Sequence, residues 1–309
     1  MRLITMRSRC GGPSENRQMR STFGRAVRAC SWCQRAAVAV VIVLAAAATG
    51  PAAQAQGPRI YWTWTASDSG SGGIGEANLD GTNVNQSFIT GLHDPQGIAV
   101  NGQHIYWSNP GSGSIGDANL DGTDVNQSFI TGLHDPRGVA VNGQRIYWRS
   151  YDTGAIGEAT LNGTDVNQNF ITGGQHSVGV AADDQHVYWS NYEAGTIGEA
   201  NVDGTDVNQN YIIGVAEAGA VAANGQHIYW VYFATAETAT IGKANLDGTD
   251  VSQNLISSIF RPGGLAADDQ HVYWAYYDCC IGEANVDGSN VNGSLIRPPT
   301  APFGVAVSG

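Results

Sequence analysis

The chain has 309 residues, of which 42% are hydrophobic and 14% are charged, and its formal net charge is −12. Eight of the 15 basic residues precede Gln56, so residues 56–309 hold seven basic and 26 acidic residues, a formal charge of −19. A surface of this charge repels nucleic-acid phosphates and anionic lipid surfaces, which excludes both as partners of this part of the chain.

The first 55 residues have the pattern of a secretory signal peptide. Eight arginines precede an apolar run from Ala36 to Ala48, and Ala53-Gln54-Ala55 is typical of a cleavage site. The run is shorter than the roughly 20 residues of a membrane-spanning helix, and an uncleaved anchor is the alternative. We therefore predict a signal peptide at 1–55, one domain at 56–309, and a protein that is secreted or held at the cell surface, with no membrane segment after cleavage.

Six Tyr-Trp pairs divide the remaining chain into repeats. Their spacings are 45, 41, 41, 41 and 44 residues, and the tryptophans are Trp62, Trp107, Trp148, Trp189, Trp230 and Trp274. A fixed period of this length with four short strands per repeat is typical of a β-propeller blade. The sequence therefore predicts an all-β fold, a six-bladed β-propeller of four-stranded antiparallel blades.

The second repeat shows how one blade is built. Asn101-Gly102 predicts a two-residue hairpin in which both turn positions have positive φ, and Asp121-Gly122 predicts a second turn. Tyr106 and Trp107 are adjacent and point to opposite faces of their strand, so both rings can be buried against the two neighbouring blades. The predicted strands, from the axis outwards, are Gly97–Val100, His104–Ser108, Ser114–Leu120 and Val125–Ile130.

The innermost strands carry small residues where six strands converge on the axis. This column reads Gly97, Gly138, Gly179, Ala220, Gly264 and Gly304.

The domain begins at a Tyr-Trp strand, Arg59–Trp62, without an inner strand before it, and ends just after an inner strand, Phe303–Val307. We predict that the last strand completes the first blade. Such closure removes the open inner edge that would otherwise invite aggregation, which favours a monomer.

These residues resemble the YWTD, or class B, repeats of the low-density lipoprotein receptor family. The shared features are Tyr-Trp-Ser, then Ile115-x-x-Ala118-x-Leu120-Asp121-Gly122, then Pro136-x-Gly138, and all six repeats carry the pattern. The resemblance implies a six-bladed propeller, in agreement with the independent count. The family's Asp after Tyr-Trp-Thr is absent, which removes the basis for transferring a receptor's ligand. Its equivalents are Trp64, Asn109, Ser150, Asn191, Tyr232 and Tyr276.

Irregular loops on one rim predict a ligand-binding face. The loops after the second strands vary most in length and composition, and four consecutive ones carry an aromatic residue at the same place. We interpret these residues as an aromatic rim for a protein or small-molecule ligand, with a role in capping blade contacts as the alternative. They are Tyr151, Tyr192, Phe233 and Tyr277.

A second candidate set occupies the loops that lead into the inner strands. Asp94, Asp135, His176 and Glu217 come from four neighbouring repeats, near the predicted mouth of the channel. They are candidate ligand-binding residues and, alternatively, ligands of a divalent metal. Turn chemistry is the competing interpretation, because Asp before Pro commonly starts a turn. Arg261, in the same column, could neutralise the carboxylates instead.

Cys279 and Cys280 are the two cysteines left after the signal. Because the protein is predicted to be exported, we expect a disulfide between these neighbours that stiffens their loop.

The preferred hypothesis is an extracellular binding module without a cofactor, whose ligand the sequence does not identify. The alternative is a propeller enzyme, a streptogramin-lyase-like lyase or a hydrolase, with a metal at the channel mouth. A purely structural repeat protein without a pocket is the third hypothesis.

Overall fold

A computed structural model describes residues 57–66, 70–174, 179–235 and 238–309. These residues form 24 β-strands and one short 3-10 turn, Pro110–Ser112. The strands make six four-stranded antiparallel sheets, which confirms the predicted six-bladed propeller. In the described part of the chain, no helix is long and apolar enough to cross a membrane.

Each blade uses four strands, ordered from the axis outwards. Blade 1 contains β24 (Pro302–Val307), β1 (Arg59–Thr65), β2 (Ser71–Asn78) and β3 (Asn85–His93). Blade 2 contains β4 (Ile98–Val100), β5 (His104–Asn109), β6 (Ser114–Asn119) and β7 (Asn126–Thr131). Blade 3 contains β8 (Pro136–Val141), β9 (Arg145–Ser150), β10 (Ile156–Thr160) and β11 (Asn167–Ile171).

The second half of the ring repeats this order. Blade 4 contains β12 (Val180–Ala182), β13 (His186–Asn191), β14 (Thr196–Asn201) and β15 (Asn208–Ile213). Blade 5 contains β16 (Ala218–Ala223), β17 (His227–Phe233), β18 (Thr238–Asn245) and β19 (Ser252–Phe260). Blade 6 contains β20 (Pro262–Ala267), β21 (His271–Tyr276), β22 (Ile281–Asn285) and β23 (Asn292–Ile296).

The Tyr-Trp pairs form the core between blades, as their alternation predicts. All twelve rings are buried, with at most 1% of their surface exposed. Tyr106 of blade 2 lies in the same buried cluster as Trp148 of blade 3, and the other five junctions repeat this pairing. Rings of this kind bury roughly 150–250 Å² each, so they supply a large part of the apolar area that holds the blades together.

The last strand closes the ring in the predicted way. β24 pairs with β1, and Ile60 lies opposite Val307 while Trp62 lies opposite Val305. The chain's final strand is therefore the innermost strand of blade 1, whose other three strands come from the start of the domain. This arrangement leaves the inner edge of β1 paired.

The turns after the inner strands differ from the prediction. Neither Asn101 nor Gly102 has positive φ. The Asn101 side chain instead accepts hydrogen bonds from the backbone N–H groups of Gln103, at 2.9 Å, and His104, at 2.8 Å. Asp183 closes the same turn in blade 4 through its carboxylate. The side-chain acceptor, rather than glycine flexibility, is what this turn requires.

The small column of the inner strands reflects close approach between neighbouring strands. A Cβ on Gly304 would come within 2.5 Å of the Gln96 carbonyl of the next blade. Hydroxyls bridge the same gap: Ser108 accepts from the Gly97 N–H at 2.9 Å and donates to the Arg137 carbonyl at 2.6 Å. The position after Tyr-Trp thus links blades here. Asn109, which replaces the Asp of the YWTD pattern, bonds within its own blade.

A glutamine on the outer strand forms a second link, which we call the glutamine bridge. Gln209 accepts a hydrogen bond from the Trp189 indole at 2.9 Å and donates to the Thr172 carbonyl of the preceding blade at 3.0 Å. Equivalent donations to the preceding blade come from Gln127, Gln168 and Gln253. In blade 6 the position is Gly293, and in blade 1 the buried Gln86 Nε2 has no partner among the described residues. Both junctions of blade 6 therefore lack the bridge.

Candidate functional site

The two ends of the blades differ in their loops. Because the strands are antiparallel, the loops leading into the inner strands and the loops after the second strands lie on one face, which we call the loop face. The tight turns at the other strand ends form the opposite, turn face. Exposed aspartates concentrate on the turn face, at Asp80, Asp121, Asp203, Asp247 and Asp287.

The predicted acidic column on the loop face has a backbone role. Asp94, Asp135, Glu217 and Arg261 all have positive φ, between 39° and 49°. A cation and three acids share the same left-handed conformation, so the turn does not depend on the sign of the charge. This supports the interpretation of the column as turn chemistry. His176 lies outside the described residues.

The three described carboxylates of this column have separate partners. Asp135 pairs with Arg137, with an oxygen-to-nitrogen distance of 3.1 Å. Glu217 accepts a hydrogen bond of 2.9 Å from the Tyr192 hydroxyl. Asp94 contacts the Gln96 amide at 3.5 Å. No group of three or more His, Cys, Asp or Glu side chains suited to a metal occurs within the described ranges.

The four predicted aromatic residues each make a different contact on the loop face. Tyr151 lies beneath the Arg137 guanidinium, 4.1 Å from carbon to ring centroid. Tyr192, in blade 4, reaches blade 5 through Glu217, and burial followed by this hydrogen bond raises its pKa. Phe233 lies over Gly219. Tyr192 thus makes a contact between blades, whereas Tyr151 and Phe233 contact residues of their own blades.

Tyr277 differs from the others because it lines the cavity itself. Its ring meets Phe303 of blade 1 edge to face, with centroids 4.7 Å apart. It also lies against Gly263, where a Cβ would come within 3.1 Å of the ring. Burial raises the pKa of Tyr277, while the charges of Arg137 and Arg261 oppose that rise. The phenol therefore stays protonated at neutral pH and can donate a hydrogen bond into the cavity.

A cavity of about 100 Å³ opens at the mouth of the channel on the loop face. Its wall is mostly backbone and aliphatic side chains from the inner strands, together with Gln96, Tyr277 and Phe303. Arg137 is the only charged side chain among the described residues that line it. Arg137 thus places N–H donors at the edge of an otherwise mostly apolar cavity.

Arg137 is held in place from two sides. Its Nε atom donates to both Asp135 carboxylate oxygens at 3.2 Å, and Nη2 donates to one of them at 3.1 Å. The Tyr151 ring supports the plane of the guanidinium. Nη1 has no hydrogen-bond partner among the described residues. Since the lining includes Arg137, the guanidinium can offer these N–H groups to a molecule in the cavity.

Arg149 is a second arginine beneath the loop face. It occupies the position after Tyr-Trp, where the other blades have Thr, Ser, Val or Ala, and only 1% of its surface is exposed. Burial lowers its pKa to about 10, so it is still charged at neutral pH. Its guanidinium lies against Gly174, where a Cβ would come within 2.5 Å of Nη1.

The loop after the second strand of blade 6 carries the two cysteines of the predicted disulfide. The structure joins Cys279 and Cys280 through their Sγ atoms. The neighbouring Asp278 pairs with Arg261 at 3.4 Å, so Arg261 bonds within its own blade. Tyr277 donates its backbone N–H to the Arg261 carbonyl at 3.2 Å. The aromatic wall of the cavity is thus attached to a short loop with several internal links.

Neither Arg137 nor Arg149 stands out in the repeat pattern, because both occupy positions that vary between blades. One signal in the sequence could have identified them. Residues 56–309 contain only seven basic residues. Arg137 and Arg149 are two of them, and the described residues at the equivalent positions of the other repeats are uncharged. An isolated cation in such a column of an acidic repeat protein indicates a local function rather than a repeated structural one.

Solved structures with the same fold share little sequence with this chain. A chain of a nidogen/laminin complex is 17% identical with a TM-score of 0.66, over 81% of this chain and 98% of that chain. A streptogramin B lyase is 14% identical with a TM-score of 0.54, over 80% and 86%. A gluconolactonase from Xanthomonas campestris is 13% identical with a TM-score of 0.53, over 68% and 78%. These likenesses show the fold alone.

No protein-family model matches the chain, and no curated protein sequence matches it.

Proposed function

We propose that this chain is an exported binding module of the YWTD type, which takes its ligand at the loop face. The observation that carries the proposal is the cavity at the channel mouth, lined by Tyr277 and Phe303 and holding one oriented arginine, Arg137. Ligand sites are typically concave and mostly apolar, with a few placed polar groups. The six repeated Tyr-Trp junctions supply the rigid ring on which such loops can vary.

The lining of the cavity favours binding over catalysis. Acid–base or nucleophilic catalysis needs a titratable group within reach of the reacting atom. The described residues of the wall include no His, Asp, Glu, Ser or Cys. Arg137 and Tyr277 can hold and orient a ligand through their N–H and O–H donors. The likeness to a chain of a nidogen/laminin complex supports a module that binds another molecule.

Loop-face variants test the proposal directly. Tyr192 is exposed, at 38% of its surface, and Phe233 occupies the equivalent loop of the next blade. A Tyr192→Ser/Phe233→Ser double variant should lose binding to arrayed peptides and oligosaccharides. Val125→Ser, at an exposed valine of the turn face, is the matched control and should bind like wild type. Binding that resists the loop-face variant but disappears in Val125→Ser would place the ligand on the other face and contradict the proposal.

Export is proposed together with this function. Residues 1–55 act as a signal peptide, and Ala53-Gln54-Ala55 directs cleavage. Intact-mass spectrometry of material secreted by the expressing cell should give an N-terminus at Gln56. A mass that still includes the apolar run Ala36–Ala48 would identify an anchor instead.

Size-exclusion chromatography with light scattering should give a monomer, because ring closure pairs the edge that would otherwise recruit a second chain.

A further inference from the structure

We propose that the cavity at the channel mouth is a carboxylate-binding site, in which Arg137 receives the carboxylate and Tyr277 and Phe303 hold the adjoining apolar group. This inference rests on the proposed function and names the chemistry of its ligand. The carboxylate belongs to a small branched organic acid or to the end of a peptide chain, and the two sources present the same chemistry to the cavity.

The charge distribution favours an anion at this one place. The exposed turn aspartates all lie on the opposite face, at the far end of the blades. The described wall contains Arg137 and no carboxylate. An anion that enters the cavity therefore meets a positive group in its wall, at Arg137.

Arg137 is arranged in advance for a second carboxylate. Asp135 occupies Nε and one edge of Nη2, and Tyr151 supports the plane of the group. A guanidinium has five N–H donors, so Nη1 and the remaining Nη2 proton are left for a ligand. Because Asp135 and Tyr151 already restrict the side chain, little further rotamer freedom is lost on binding. Lysine, with one ammonium group, would not reproduce this arrangement.

Tyr277 provides a second donor at the opposite side of the mouth. Its hydroxyl has no hydrogen-bond partner among the described residues, and its ring is fixed by Phe303 and Gly263. Arg137 and Tyr277 both line the same small cavity. A carboxylate with two oxygens can accept from the guanidinium and the phenol together.

The rest of the wall defines the apolar part of the ligand. Beyond the two donors, the wall consists largely of inner-strand aliphatic side chains, which are Ile98, Val139, Val180, Val221, Leu265 and Val305. A volume of about 100 Å³ suits a carboxylate with a short branched group. Isobutyrate is the corresponding minimal probe, and isobutyramide has the same shape without the charge.

Ligand-observed NMR titration with these two probes tests the site. Isobutyrate should bind wild type weakly, in about the millimolar range expected of so small a ligand, and isobutyramide should bind at least about tenfold more weakly. Arg137→Gln should reduce isobutyrate affinity by about tenfold or more, and Tyr277→Phe by a smaller factor. Arg297→Gln is the matched control, because Arg297 lies in a loop of the same face but outside the wall and bonds to Ser294, and it should bind isobutyrate like wild type.

Three further measurements make the result decisive. Thermal unfolding shows whether Arg137→Gln is folded, and Arg137→Lys keeps a cation while losing the planar group, so it should retain only part of the affinity. A tripeptide ending in a free valine carboxylate, compared with its C-terminal amide, separates the two sources. Tighter binding of the free tripeptide than of isobutyrate assigns the site to a chain end, and the reverse assigns it to a free acid.

The proposal is overturned if isobutyrate and isobutyramide bind alike, if folded Arg137→Gln binds like wild type, or if neither carboxylate probe binds. These outcomes are distinct from a failure of the proposed function. If array binding depends on Tyr192 and Phe233 while Arg137→Gln is without effect, the loop face binds a ligand that is not a carboxylate in this cavity. If isobutyrate binding depends on Arg137 but no array ligand depends on the loop face, the small site exists without the larger function.

Discussion

The backbone N–H of Arg59 donates a hydrogen bond of 2.9 Å to the Ser308 hydroxyl, 249 positions later in the sequence. Ile60 and Trp62 continue the same pairing with Val307 and Val305. The two ends of the domain therefore share one blade. The propeller is complete only when both ends are in place, so a small change at one end acts on the whole ring.

Deletion of Pro302–Gly309 should destabilise the domain far more than its length indicates. The deletion removes β24 and leaves the inner edge of β1 unpaired. We expect the unfolding free energy to fall by about 4 kcal/mol or more, or the protein to aggregate through the exposed edge. Chemical denaturation checks this, with removal of Gly309 alone as the control. A truncated protein that unfolds like the full chain would show that the ring closes by another route.

Gly116→Ala should disrupt one blade junction. Gly116 lies directly across the sheet from Trp107, and a Cβ at this position would overlap the indole ring. We expect a loss of about 1–3 kcal/mol in unfolding free energy, typical of an overfilled core. Gly102→Ala is the matched control, since nothing lies within 4 Å of its added Cβ and its φ is not positive. Equal stability of the two variants would contradict the packing that we describe.

Stability should be greater in mild acid than at neutral pH. Burial raises the pKa of a carboxyl group on the third strand in five blades, at Glu76, Asp117, Glu158, Glu199 and Glu283. A raised pKa in the folded state contributes stability below the unfolded value, and that contribution is lost as pH rises through the folded value. The turn aspartates have the opposite shift, because hydrogen bonds lower the pKa of Asp121 and its equivalents below 3.8. The stability that these aspartates contribute is lost only as the pH falls below 3.8 and through their lowered folded-state pKa values.

We therefore expect Tm to be about 2–5 °C higher near pH 4.5 than near pH 7.5. Asp117→Asn should reduce this difference, because the amide carries no charge to desolvate. Asp121→Asn should leave it unchanged, since the exposed Asp121 titrates below this interval. A Tm that rises from mild acid to neutral pH would show that paired charges outweigh the buried carboxyl groups.

A chelator should leave the Tm of the wild-type protein unchanged. Asp135 pairs with Arg137, and Glu217 accepts from Tyr192, so two of the four proposed metal ligands already have other partners. Elemental analysis of the purified protein, with and without added zinc or calcium, is the direct measurement. If a metal is present and is lost in the His176→Ala/Glu217→Ala double variant, the enzyme hypothesis replaces the binding module.

The repeated features could be predicted from the sequence because each is supported by six copies. The Tyr106–Trp148 contact follows from strand alternation and the period, and closure follows from the missing first strand. The turn at Asn101 was predicted with the wrong mechanism, since glycine in the pair suggested positive φ whereas the Asn side chain closes the turn. The site escaped prediction because Arg137 occurs once, and its stacking on Tyr151 depends on a loop whose path no period specifies.

The missing glutamine bridges have a consequence for motion in the ring. Blade 6 lacks the bridge on both sides, and the Trp274 indole nitrogen is buried without a partner among the described residues. In native-state hydrogen exchange, amides of β22 and β23 should therefore open at lower free energy than their equivalents in blade 3. This weak sector also carries Tyr277 and the joined Cys279 and Cys280. Tyr277, in one wall of the cavity, thus belongs to the blade that we expect to open more readily than blade 3. Local opening there would admit a ligand larger than the resting cavity.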